Sequence, residues 1–108
     1  MEQGEPKMEV EYGIDVTFVT FTEEMIFEEE QIRKLRESLE AVIEKNEDKK
    51  LILSFVNVKF TSSALLGLLV RVHKKVIEQG GTLQLSNVEP SLQMVFELTQ
   101  LTKVFDIS

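Results

Sequence analysis

The chain has no cysteine and no tryptophan, one tyrosine and one histidine. Without cysteine there is neither a disulfide framework nor a thiolate metal site. With His73 as the lone imidazole, a metal would have to rest on carboxylates, and none of these falls in the spacing of a calcium loop. A phosphate-cradling loop is also missing, because Gly80-Gly81 follows a helical segment instead of leading into one. No metal and no cofactor is therefore expected. Uninterrupted apolar runs last only a few residues, against the roughly 20 needed to cross a bilayer. Met1–Lys7 is polar where a signal peptide would be apolar. These absences point to a cytoplasmic protein with no membrane partner.

What is present suits one domain with one core: 108 residues, 43% hydrophobic and 29% charged. The net charge of -7 is unevenly spread. Residues 1–48 carry 15 acidic and 5 basic side chains, and residues 49–108 carry 4 and 7. An acidic chain this poor in Trp and Tyr is ill suited to bind nucleic acid. The acidic half reads as a solvated helix face.

Residues 1–7 are expected to form a flexible tail and 8–108 a single domain. Met8–Tyr12 alternates apolar and charged, as an edge strand does, and Asp15–Thr22 supplies its hairpin partner. Thr22–Phe27 is a connection. Its Met25-Ile26-Phe27 either tucks under the next helix or forms a contact patch. Ile32, Leu35, Leu39, Val42 and Ile43 fall on one face of a helix over 28–45, with Asn46 as its stop. Leu51–Val56 is nearly all apolar, which fits a strand covered on both sides. A helix follows from Ser62 or Ser63 to about Gln79, with Leu65, Leu66, Leu69, Val72, Val76 and Ile77 inward and Gly80-Gly81 after it. Thr82–Ser86 alternates as a strand. Pro90 opens a helix to about Gln100 with Leu92, Val95 and Phe96 inward, and Val104–Ile107 closes the chain extended. Two right-handed strand–helix–strand crossovers place both long helices on one side of a mixed sheet.

The stretch with chemical content is Lys59-Phe60-Thr61-Ser62-Ser63, where the central strand hands over to its helix. One serine can cap the helix by accepting a backbone N–H bond, leaving the other free to point outward. A catalytic serine would need a base within hydrogen-bond reach. His73 is ten residues on, about 15 Å along the helix. It falls in the apolar arc, as a packed, hydrogen-bonded histidine does. No catalytic residue is assigned, and the chain is expected not to be an enzyme.

The run from Asn57 through Thr61-Ser62-Ser63-Ala64-Leu65-Leu66-Gly67 to Leu69 resembles the signature of the STAS domain of bacterial anti-sigma-factor antagonists and stressosome proteins. The runs Gly80–Pro90 and Phe96–Ile107 resemble two further family signatures, in the family's order. The resemblance implies an α/β fold, a mixed β-sheet with helices packed mainly on one face. It implies a partner-switching regulator that binds an anti-sigma factor with serine kinase activity, with a serine phosphatase as a further partner. The phosphorylated serine would be Ser63, or alternatively Ser62, and Lys59, Phe60, Thr61, Ser62, Ser63 and Leu66 would form the partner-binding surface. The protein would be a monomer or weak homo-oligomer. Ser62 stands where many antagonists have an acidic residue, and Leu65 where many have glycine. The alternative is a non-phosphorylated STAS scaffold or stressosome-type assembly module.

Overall fold

The computed structural model describes residues 8–107. The expected tail, 1–7, lies outside these residues. Five strands, β1 (Met8–Tyr12), β2 (Val16–Phe21), β4 (Lys50–Ser54), β6 (Thr82–Ser86) and β7 (Asp106–Ile107), form a sheet in the order β1-β2-β4-β6-β7. β1 and β2 pair antiparallel, and every other neighbouring pair in this sheet is parallel. The sheet is mixed, as expected.

Helices α1 (Glu29–Asn46), α2 (Ser63–Glu78) and α3 (Pro90–Leu98) fill the crossovers. The strand order steps one way from β2 to β7, so right-handed crossovers return on the same face. Lys75 of α2 reaches Glu40 of α1 at 3.2 Å, which joins the two long helices directly. Phe105 ties α3 to the same layer. It packs edge-on against Phe96 of α3 (6.0 Å between centroids) and His73 of α2 (5.7 Å).

Period two decides which face is covered. Thr17, Leu51 and Leu83 stand in register, as do Val19, Leu53 and Leu85, and all six are buried. Leu35, Leu39, Val42 and Ile43 of α1 and Leu65, Leu69, Val72 and Val76 of α2 close over them. The opposite face carries Glu11, Phe18 and Ile52 in register and stays open.

Several expectations change in detail. On α2, Ile77, read as inward, is 49% exposed, and Leu68, which the wheel reading leaves unassigned, is buried. The helix packs on α1 as well as on the sheet, so its buried arc turns toward α1. Val95 of α3 is at the exposed margin for the same kind of reason: a nine-residue helix at the sheet's end buries only Leu92 and Phe96 fully. His73 is half-buried, as its place on the wheel indicated. Its neighbour is the ring of Phe105, and among the described residues it has no hydrogen bond. A 3-10 turn, Leu101–Lys103, precedes β7 and shortens the extended end.

The connection Thr22–Phe27 is not simply a loop. Met25–Ile26 (β3) pairs in parallel with Phe60–Thr61 (β5), a second sheet of two very short strands. Neither strand is long enough to show a period. Alternation is nonetheless visible: Ile26 is fully buried, while Met25 and Phe27 on either side are exposed. Ile26 tucks into the core, as the first reading of Met25-Ile26-Phe27 has it, while Met25 and Phe27 stay outside.

Candidate functional site

The small sheet stands at the mouth of β4, where the chain leaves the main sheet. Phe55 is the last core residue, fully buried with its ring 5.1 Å from Phe21, and its N–H donates to Ser86 at 2.9 Å. A turn follows, closed by Val58 N–H to the Phe55 carbonyl at 3.0 Å. The chain then runs along 24–26. Lys59 and Phe60 N–H both donate to the Glu24 carbonyl, at 2.8 and 3.1 Å. The Thr61 hydroxyl donates to the Ile26 carbonyl at 2.9 Å. Asn57 Nδ2 donates to the Phe21 carbonyl at 2.9 Å, which ties the turn to the end of β2.

The other side is fixed by Gln31 on α1. Its Oε1 accepts from Phe27 and Glu28 N–H at 3.0 and 3.2 Å. Its Nε2 donates to the Met25 carbonyl at 2.7 Å and to the Glu23 carboxylate. One amide therefore fastens the whole 23–28 segment. Sequence reading missed Gln31 and Asn57. The available signal for Gln31 was its place in the first turn of a helix, where a glutamine can reach back to preceding N–H groups.

The hydrogen-bonded backbone leaves its apolar side chains outside. Met25 and Phe60 are register partners, 51% and 57% exposed, and Val56 and Phe27 are exposed nearby in the chain. Four large apolar side chains on two adjoining segments are therefore exposed.

The two serines divide sharply. Ser62 occupies the N-cap position of α2, but its side chain makes no capping bond. Its Oγ is buried and has no hydrogen-bond partner. The expected serine cap is therefore not formed. Ser63 is the first residue of the helix and is exposed. The N–H groups of a first helical turn lack intrahelical acceptors and favour negative charge.

Of the other expected contact residues, Lys59 is exposed and its ammonium lies 3.4 Å from Glu89 at the start of α3. Phe60 is exposed and Thr61 half-buried. Leu66 is a correction: it is only 8% exposed and belongs to the core, because α2 turns it toward the sheet. Ala64 and Gly67 face outward beside it. Among the described residues no group of three or more His, Cys, Asp or Glu could hold a metal ion, and no helix is long and apolar enough to cross a membrane.

Comparison with known proteins agrees with this architecture. The sequence model of the STAS domain matches residues 5–108. The anti-sigma-B factor antagonist of Bacillus subtilis (strain 168) is 36% identical over 74 residues, which cover 68% of this chain. The match spans 66% of that protein, just under two thirds of its length. A STAS domain protein from Planctomyces limnophilus, described as an anti-sigma-factor antagonist, has a similar structure (TM-score 0.82, 22% identity, 94% of this chain and 87% of that one). So does the phosphorylated form of the Bacillus cell fate determinant SpoIIAA (TM-score 0.70, 16% identity, 94% and 90%). At such identities these two structures speak to the fold.

Proposed function

The chain belongs to the STAS domain family, and from that premise we propose that it is an anti-sigma-factor antagonist whose partner is released by phosphorylation of Ser63. The observation that carries the reading is the exposed Ser63 at the first position of α2, beside the exposed apolar side chains of Met25 and Phe60. The relative from Bacillus subtilis, an antagonist by name, supports the choice of partner class.

In its unmodified form the protein presents Phe60 and Met25 to an anti-sigma factor with serine kinase activity. Burial of such side chains favours the complex, at roughly 25 cal/mol per Å² of apolar surface. The kinase transfers the γ-phosphoryl group of ATP to the Ser63 hydroxyl. The hydroxyl proton passes to a base of the kinase, and ADP leaves. The new group carries about -1.5 to -2 charges. The start of α2 tolerates it, since the helix dipole favours an anion there. Its cost therefore falls on the interface. One unfavourable charge pair at about 4 Å near a surface is worth about 4 kcal/mol, close to a thousandfold in affinity. A serine phosphatase reverses the change by hydrolysis. The chain is a substrate in this cycle and performs no catalysis itself.

The buried Ser62 hydroxyl supports Ser63 over Ser62 as acceptor, because a kinase would have to open the helix start to reach it. Labelling with the cognate kinase and ATP tests the assignment: wild type and Ser62→Ala take up phosphate, and Ser63→Ala does not. Equal labelling of Ser63→Ala would remove Ser63 from the mechanism. A second reading, an assembly module that no kinase modifies, is favoured by Ser62 and Leu65 standing where many antagonists have an acidic residue and a glycine. It requires a large assembly by light scattering that persists in Ser63→Asp.

A further inference from the structure

Helices α1 and α2 both connect parallel strands, so they run parallel to each other. Along their first turns lies an open groove of about 430 Å³. It is lined by the apolar or small residues Ile32, Ala64, Gly67 and Leu68, by three cations, Arg33, Arg36 and Arg71, and by one acid, Glu29. Farther along, the two helices meet through Glu40 and Lys75, 35 positions apart in sequence. Arg36 and Arg71 are separated by the same 35 positions, one turn nearer the helix starts, and both line the groove. Where the first pair is complementary, the second is two cations.

Glu29, the one acid of the lining, forms no ion pair with either of them. Arg33 donates to Glu30 and Glu37, while Arg36 and Arg71 have no ion-pair or hydrogen-bond partner among the described residues. Like charges on facing walls oppose the packing of those walls until an anion comes between them. This occurs in a protein whose overall charge is -7. With three arginines against one glutamate in its lining, the groove is a locally cationic site on an acidic molecule.

The floor has a matching feature. A Cβ added at Gly67 would meet nothing within 4 Å. Gly81 is the opposite case, since a Cβ there would come within 2.6 Å of the Lys49 carbonyl oxygen. Gly81 answers an internal constraint and Gly67 answers none, although glycine inside a helix is less favourable than alanine. A missing side chain on an outward helix face lets another backbone approach closely. The trough between two parallel helices is shaped to receive a third.

We propose that the α1–α2 groove docks an acidic amphipathic helix of a partner protein, its apolar side chains over Ile32, Gly67 and Leu68 and its carboxylates on Arg36 and Arg71. Charge complementarity selects this occupant. An apolar helix would leave the two guanidinium groups unanswered, and a basic one would add to their repulsion. Ser63, Gly67 and Arg71 follow one another at four-residue steps along α2, so the docked helix lies on the same face as Ser63. The proposal goes beyond the phosphorylation reading and does not depend on it.

The test uses the full chain, labelled with nitrogen-15, and a helical peptide of about 14 residues. The peptide carries Leu and Ala on one face and Glu at four-residue steps beside it, and a control peptide has Gln for each Glu. The acidic peptide should give saturable NMR shifts centred on the Gly67 amide and the side-chain N–H groups of Arg36 and Arg71. The Gln peptide should bind at least about tenfold more weakly, since charge-assisted bonds are the stronger ones. In the chain carrying Arg36→Gln and Arg71→Gln, with its melting temperature unchanged, the two peptides should become equivalent. Equal binding of the two peptides to wild type would overturn the proposal, as would shifts centred elsewhere. Sulfate at matched ionic strength is the last arm. If sulfate reproduces the arginine shifts and the acidic peptide leaves Gly67 unmoved, the arginines serve a small anion and the helix-docking proposal fails.

Discussion

The two sheets of this molecule hold together by different means. In the five-stranded sheet, register places Leu51 beside Leu83 and Leu53 beside Leu85, and helices cover them. Burial supplies the stability, and side-chain hydrogen bonds are secondary. The sheet of β3 and β5 has two residues per strand and exposes Met25 and Phe60 from its paired positions. It is held by polar side chains that reach backbone groups: Asn57 to Phe21, Thr61 to Ile26, and Gln31 to the 25–28 segment. Holding a strand pair through its backbone leaves its apolar side chains exposed. The larger sheet builds the fold, and the smaller one displays a surface.

The broadest way to break this contrast is to truncate one phenylalanine from each sheet region. Phe55 is fully buried against Phe21, and Phe55→Ala should cost about 3–5 kcal/mol in urea unfolding. Phe60 is exposed, and Phe60→Ala should stay within about 0.5 kcal/mol of wild type. Similar losses for the two would mean that the small sheet is part of the core.

Charge at the helix start should act on binding alone. With the proposed anti-sigma factor as titrant, Ser63→Asp should weaken the complex by up to about a thousandfold, the value of one unfavourable charge pair near a surface. Its melting temperature should not fall, because an acid at the first helical position is favourable. Calorimetry of the complex and thermal unfolding of the free chain read the two effects separately. A lower melting temperature would show that the position is structural.

The same division explains what could be read in the sequence. Leu51–Val56, Thr82–Ser86 and the apolar faces of α1 and α2 are long enough for periodicity to fix element type and inner face. The helix start was legible to within one residue, Ser62 or Ser63, and α2 begins at Ser63. The pairing of Met25 with Phe60 was not, because two-residue strands have no period and their bonds go to backbone atoms 35 residues away. The wheel misplaced Ile77 and passed over Leu68 because it assumes one covered face, whereas α2 lies in the angle between a sheet and a second helix. Leu66 falls on the inner face by the wheel and in the contact surface by the resemblance, and its burial follows the wheel. Ser62 shows the limit of the capping rule. A serine in the right position still left its hydroxyl unbonded.

The polar fastening should be local in its effect. Asn57→Ala removes one hydrogen bond to the Phe21 carbonyl, worth about 1 kcal/mol. Amide exchange at Lys59 and Phe60, which bond Glu24, should quicken, while Leu53 and Leu85 in the main sheet should keep their protection. Uniform quickening across both sheets would show that the Asn57 bond supports the whole domain.

The smallest effect belongs to neither sheet and sets the baseline for both. In the first turns of α1, the Arg33 guanidinium donates to the Glu30 carboxylate and also to Glu37 at 2.9 Å. The hydrogen bond from Arg33 is the main reason why the Glu30 carboxyl sits below its ordinary value of 4.5, with a further contribution from the charges of Arg33 and Lys34 and some opposition from desolvation. A carboxyl depressed in the folded state contributes stability above its unfolded value, and loses it as the pH falls through the folded one. The window therefore lies below about pH 4.5. Both groups are solvent-exposed, so the contribution to folding should be close to the noise of an unfolding curve. The titration itself is measurable: the Glu30 side-chain carbon should titrate below 4.5 in wild type and move back toward 4.5 in Arg33→Gln. A wild-type midpoint at or above 4.5 would mean that this ion pair does not persist in solution. It would also show that surface charge pairs on this helix, unlike the buried register of the main sheet, tell little about where the molecule is firm.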